Sequence, residues 1–157
     1  MPAHAVMSTN EFLLHGDFEL ARSPRQCFPE PAREAGADVT FTCTFNGRIE
    51  PFFEAMGSVL AHLGALGAVD SWIIICDKGA TVEQRTEIMR ALPWATLIAK
   101  GAALHRHPAS MNILLSLVRT RWWLQWEDDW RLPCSTNILM RALDVCQHVG
   151  IAICPTR

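Results

Sequence analysis

Glu127, Asp128 and Asp129 are three consecutive carboxylates set between Trp126 and Trp130, at the end of the run Trp122-Trp123-Leu124-Gln125-Trp126. An aromatic-rich run bounded by polar residues has the make-up of a short buried strand, so the acids fall where that strand leaves its sheet. Charge beside so much indole surface is costly unless something compensates it. A divalent cation carrying a phosphate meets that need, because hard cations take carboxylate oxygens and share them with phosphates. The plainer account is a solvated acidic turn.

Asp77 follows a second apolar run, Trp72-Ile73-Ile74-Ile75-Cys76, and Thr44 and Asn46 close a third, Val39 to Phe45. If these runs are parallel strands, all of these residues and the acid cluster share the carboxyl edge of one sheet, where α/β proteins bind ligands. A carboxylate there accepts hydrogen bonds from a base or ribose, and a hydroxyl and an amide contact a nucleotide. Turn chemistry at Asp77-Lys78-Gly79 and Asn46-Gly47 explains the same residues without a ligand. His105-Arg106-His107 offers two imidazoles for a metal and a guanidinium for a phosphate, or simply a solvated loop. Gly-rich phosphate loops of the G-x-x-x-x-G-K-[ST] and G-x-G-x-x-G kinds are missing, as is a G-x-S-x-G elbow.

The elements that must position these residues alternate. Val39 to Phe45 is β-branched and aromatic, a strand, and Phe52, Met56, Val59, Leu60 and Leu63 then fall on one helical face. Trp72 to Cys76 is the near-continuous apolar pattern of a strand buried on both faces. Thr81 and Gln84 have capping-box spacing at the head of a helix that Pro93 ends. A weaker strand at Ala95 to Ala99, a helix over Ser110 to Val118, the Trp-rich strand, a helix with Ile138, Ala142, Val145 and Val149 on one stripe, and a last strand over Gly150 to Cys154 complete the series. Strand–helix alternation with short connections predicts an α/β fold, a doubly wound, mostly parallel sheet with helices on both faces. Residues 1–37, broken by Pro2, Pro24, Pro29 and Pro31, read as a partly disordered extension, and residues 38–157 as the α/β domain.

Composition sets outer limits. The chain has 157 residues, half of them apolar and 19% charged, with a formal net charge of −2. That suits one globular domain and gives no basic patch for nucleic acid. No apolar run is long enough for a transmembrane segment. The six cysteines form no Cys-x-x-Cys pair, which leaves zinc-ribbon and thioredoxin-type readings without support. Cys43, Cys76 and Cys154 fall in apolar, strand-like runs, which predicts reduced, buried thiols and, with no secretory signal visible, a cytoplasmic setting.

Taken together these residues resemble the nucleotide-sugar half of a GT-A-fold glycosyltransferase of family 2. Thr44-Phe45-Asn46 is similar to the family's Thr-x-Asn element, and Ile75-Cys76-Asp77-Lys78-Gly79-Ala80-Thr81 to its Asp-rich turn, with Lys78 replacing the second Asp. Asn112 resembles the family's helical Asn, and Glu127-Asp128-Asp129 its DXD motif, with Glu in place of the first acid. The resemblance implies a nucleotide-diphospho-sugar donor, a UDP- or GDP-sugar. It places Thr44, Asn46, Asp77, Asn112 and Asp128 at the nucleotide, and Mn²⁺ or Mg²⁺ on Glu127, Asp128 and Asp129. It also implies sugar transfer to an acceptor, with inversion. The family takes its base from the acceptor-binding half beyond the DXD motif, whereas Asp144 is the one acid here after Asp129. The chain thus reads as a donor portion, a fragment or a domain completed by a partner. The alternative is a non-catalytic or degenerate nucleotide-binding α/β module.

Overall fold

The computed structural model describes residues 6–7, 27–77, 79–101, 104 and 106–149. Its centre is a sheet of five strands, β1 (Val6–Met7), β2 (Val39–Phe45), β3 (Val69–Cys76), β4 (Thr96–Ala99) and β5 (Trp122–Glu127). The order across the sheet is β1-β4-β3-β2-β5. Strands β2 to β5 are parallel, and β1 pairs antiparallel with β4 through Val6↔Ile98 and Met7↔Leu97. Between strands β2 to β5 run α1 (Ile49–His62), α2 (Val82–Ala91) and α3 (His107–Leu117), and α4 (Ile138–Val149) follows β5. The chain is thus of α/β class with a parallel four-strand sheet.

Strand alternation explains the layering. Phe41, Cys43 and Phe45 of β2, Trp72, Ile74 and Cys76 of β3 and Trp126 of β5 bury one face under α1, α2 and α4. Phe41 is the aromatic hub of that face, 4.6 Å from Trp72 and 6.2 Å from Trp126 between ring centroids. Ile73 and Ile75 of β3 and Ile98 of β4 point the other way and meet Ile113 and Leu114 of α3. Strand β3 is therefore apolar on both sides, as its unbroken run requires.

The other face of β2 is polar instead. Thr40, Thr42 and Thr44 are buried. Thr42 donates to Gln125 Oε1 at 2.5 Å and accepts from Trp123 Nε1 at 2.6 Å, while Thr44 accepts from Gln125 Nε2 at 3.0 Å. These bonds satisfy the buried hydroxyls and fix the register of β5 against β2.

Several expected boundaries shift. Helix α3 begins at His107, earlier than the Ser110 expected, because Pro108 fits the first helical turn, where its missing N–H costs nothing. In α4 the buried side is one residue over from the expected stripe. Leu139 is buried and Leu143 packs against the core, whereas Ile138 and Val145 are exposed. Leu139, Leu143 and Cys146 have the same helical spacing as Ile138, Ala142 and Val145, so periodicity could not choose between them. Residues 27–37, read as extension, lie against the domain. The Phe28 N–H donates to Ala91 O at 2.8 Å, Trp94 Nε1 donates to Phe28 O at 3.0 Å, and the Glu34 N–H donates to Gly67 O at 2.9 Å. The strand expected over Gly150 to Cys154 lies outside the described residues.

Among the described residues Cys27, Cys43, Cys76 and Cys134 are free thiols. Burial pushes the Cys76 thiol up to about 12 and the Cys43 thiol well above its usual value, which leaves both as inert core groups. Among the described residues no helix is long and apolar enough to cross a membrane.

Phe41→Ala should destabilise the domain by about 3–5 kcal/mol, measured as a lower midpoint of urea unfolding. A loss below 1 kcal/mol would show that Phe41 is not the hub of this face.

Candidate functional site

Parallel pairing brings the strand ends level. Phe45 pairs with Cys76, Thr44 with Glu127, and Cys76 with Ala99. The residues that follow, Asn46, Asp77, Lys100 and Asp128, therefore line one edge. Strands β2, β3 and β4 are laid down in succession to one side, and the chain then crosses back to place β5 on the other side of β2. In open α/β sheets such a reversal is where ligands bind, and here it lies between the carboxyl ends of β2 and β5.

Asp128 sits at that reversal with its side chain 1% exposed. Its Oδ2 accepts from the Asn46 backbone N–H at 2.8 Å and its Oδ1 from Arg48 Nη2 at 2.6 Å. The same Nη2 reaches Asp129 Oδ2 at 3.1 Å, and Asp129 is 48% exposed. Hydrogen bonds to Asp128 and then Asp129 hold the Arg48 guanidinium above its ordinary pKa. The turn is stapled by its tryptophans: Trp130 N–H donates to Glu127 O at 3.2 Å, and Trp126 Nε1 donates to Trp130 O at 2.9 Å. Glu127 is the last residue of β5 rather than the first beyond it. Burial raises its carboxyl pKa, opposed by His107 and by a hydrogen bond from Gln125.

The loops around Asp128 hold one another. Gly47 has φ +81°, and a Cβ there would come within 2.9 Å of Gly79 O. Gln84, the capping residue of α2, donates from Nε2 to Gly47 O at 2.8 Å. The turn after β2 is thus packed between the turn after β3 and the acids after β5.

Asp77 is buried in a separate polar cluster. Lys100, its side chain 0% exposed, donates to Asp77 Oδ1 at 2.7 Å and to Ser110 Oγ at 2.5 Å. Ser110 donates to Asp77 Oδ2 at 3.3 Å. A third contact, from Lys100 to Arg106 O at 3.4 Å, fastens the loop before α3. Asp77 and Asp128 flank β2, so two inter-strand spacings, about 10 Å, separate their strands.

Of the residues expected at a site, Asn46, Asp128 and Asp129 are brought together. Asn46 contributes its backbone N–H. Asp77 shares the edge but faces Lys100 and Ser110. Thr44 is fully buried and bonded to Gln125, and Asn112 is exposed on α3. Arg106 and His107 are exposed at the start of α3, and His105 lies outside the described residues. Arg48, Lys100 and Ser110 were missed. Lys100 carried a readable signal: a charged residue ending the strand beside the one that ends in Asp77.

Among the described residues no group of three His, Cys, Asp or Glu side chains converges to hold a metal ion. Asp128 spends both oxygens inside the protein, which leaves Glu127 and the outer face of Asp129 as donors. A cation held by one or two carboxylates would have to bring further ligands with it, as Mg²⁺ does when substrate phosphates share it.

Removing Lys100 alone should be severe. Lys100→Met strands a buried carboxylate and should cost about 3–5 kcal/mol, whereas adding Asp77→Leu should recover most of that loss. Urea unfolding of both variants checks this, and additive losses would contradict the pairing. No family model matches the chain, and no curated protein matches it.

Proposed function

We propose that the chain is the donor-binding portion of a divalent-metal-dependent glycosyltransferase of GT-A type, with a doubly wound sheet and a nucleotide-diphospho-sugar as ligand. One observation carries the reading: acids stand at the carboxyl end of the strand across the sheet's reversal, with a further carboxylate two strands away on the same edge. The reversal between β2 and β5 would take the diphosphate, and the Asp77 side of the edge the nucleoside. Glu127 and Asp129 would hold Mn²⁺ or Mg²⁺, and Asp128 would hold the turn that presents them. When bound, the metal supplies positive charge to the departing diphosphate. Before that, Arg48 holds positive charge against Asp128 and Asp129.

Transfer also needs a base for the acceptor hydroxyl. Asp144 does not suit that role, since it is largely exposed on α4 and paired with His148 at 3.3 Å.

A second reading, a non-catalytic nucleotide-binding module, draws on a different observation. Asp77 and Asp128 are both compensated by cations of the protein itself. Turnover of the donor separates the two readings.

Calorimetric titration of UDP and GDP, with and without Mn²⁺, is the test. Binding of one nucleotide should require Mn²⁺ and be lost in Asp129→Ala, while the variant unfolds within about 1 kcal/mol of the parent because its ion pair is solvent-exposed. Affinity unchanged in Asp129→Ala would remove the metal assignment, and no binding by folded protein would remove the nucleotide assignment.

A further inference from the structure

We propose that Arg48 is an oxyanion ligand, the side chain that takes the phosphate groups of a metal-bound diphosphate at the reversal between β2 and β5. The inference rests on the nucleotide-binding reading and goes further by assigning a residue that motif reasoning passed over.

The geometry is specific. Arg48 immediately precedes α1, and its side chain is 51% exposed. Both of its carboxylate contacts run through one nitrogen, Nη2, at 2.6 Å to Asp128 and 3.1 Å to Asp129. A guanidinium carries five N–H bonds. Nη2 accounts for two of them, and Nε and Nη1 make no hydrogen bond among the described residues. Arg48 is thus anchored by a buried acid and still has donors to give. Anchoring matters because a side chain already fixed loses less freedom when it binds.

Lys100 provides the contrast. It is fully buried, and its ammonium donates to Asp77, Ser110 and Arg106 O. Its role ends inside the protein, whereas that of Arg48 does not.

Charge then selects the ligand. Asp128 and Asp129 together carry one negative charge more than Arg48 offsets, and Glu127 stands beside them. A bare phosphate approaching Arg48 meets that excess and is repelled. A diphosphate that arrives with a divalent cation is not, because the cation offsets the acids while the phosphate oxygens accept from Nε and Nη1.

The test titrates UDP, uridine and inorganic pyrophosphate, each with Mn²⁺, into the full chain, Arg48→Ala and Arg48→Lys, with thermal melts as the control for folding. UDP and pyrophosphate should each lose about 10- to 100-fold in affinity in Arg48→Ala. Arg48→Lys keeps a cation for Asp128 but loses the additional donors, so it should also bind both more weakly, and it decides the matter if Arg48→Ala does not fold. Uridine binding should not change. UDP bound equally well by all three proteins would overturn the assignment of Arg48 and leave the nucleotide site standing. Pyrophosphate bound through Arg48 without any preference for UDP would uphold Arg48 and overturn the nucleotide reading. Neither ligand bound by the folded parent would overturn both.

Discussion

A carboxylate removed from water has to find hydrogen-bond donors and a counter-charge, and at Asp128 the demand is met by the turn that follows the neighbouring strand. The Asn46 N–H and Arg48 Nη2 both converge on it. For them to do so, the chain between must turn sharply at Gly47, which lies against Gly79 and is held by Gln84. One buried acid thereby holds the turns together at the sheet's reversal. The Asp77–Lys100–Ser110 cluster does the equivalent on the other side of β2, fastening the loop before α3. The carboxyl edge is therefore a braced platform, and its position follows from electrostatics as much as from apolar packing.

Under that edge the two faces of the sheet are built differently. One is apolar and supplies burial energy through Phe41, Phe45, Trp72 and Trp126. The other, over β2 and β5, carries threonines whose hydroxyls are matched to Trp123 and Gln125. A slip of β5 by one residue would turn Gln125 to the apolar side and leave the threonines without partners. The polar face thus specifies the register that brings Glu127, Asp128 and Asp129 level with Asn46. Thr44, expected to meet a nucleoside, belongs to this register lock.

The strands and helices were legible because each carries its own pattern: the both-sided run of β3, the Thr81–Gln84 box, the face of α1 through Phe52, Met56 and Val59. Proline's tolerance of a helical first turn and the ambiguous face of α4 were not, since only packing decides them. Strand β1 is two residues long and too short to show a period. At the site, the acids were visible as a composition anomaly, but their compensation was not. Arg48 lies 80 residues from Asp128 in sequence and Lys100 lies 23 from Asp77, and pairings of that kind appear only once strand order is known. Asp128, read as a metal ligand, has both oxygens bonded within the protein, to the Asn46 N–H and to Arg48.

The proposed ligand site lies between β2 and β5. Its most direct test is an amide and indole NMR spectrum of the isotope-labelled protein with UDP, recorded while Mn²⁺ is added in small steps. Paramagnetic broadening should appear first at the amides of Asn46, Arg48 and Asp129 and at the Trp126 and Trp130 indoles. Broadening that begins instead along α4, or that is uniform over the domain, would contradict a site at the sheet's reversal.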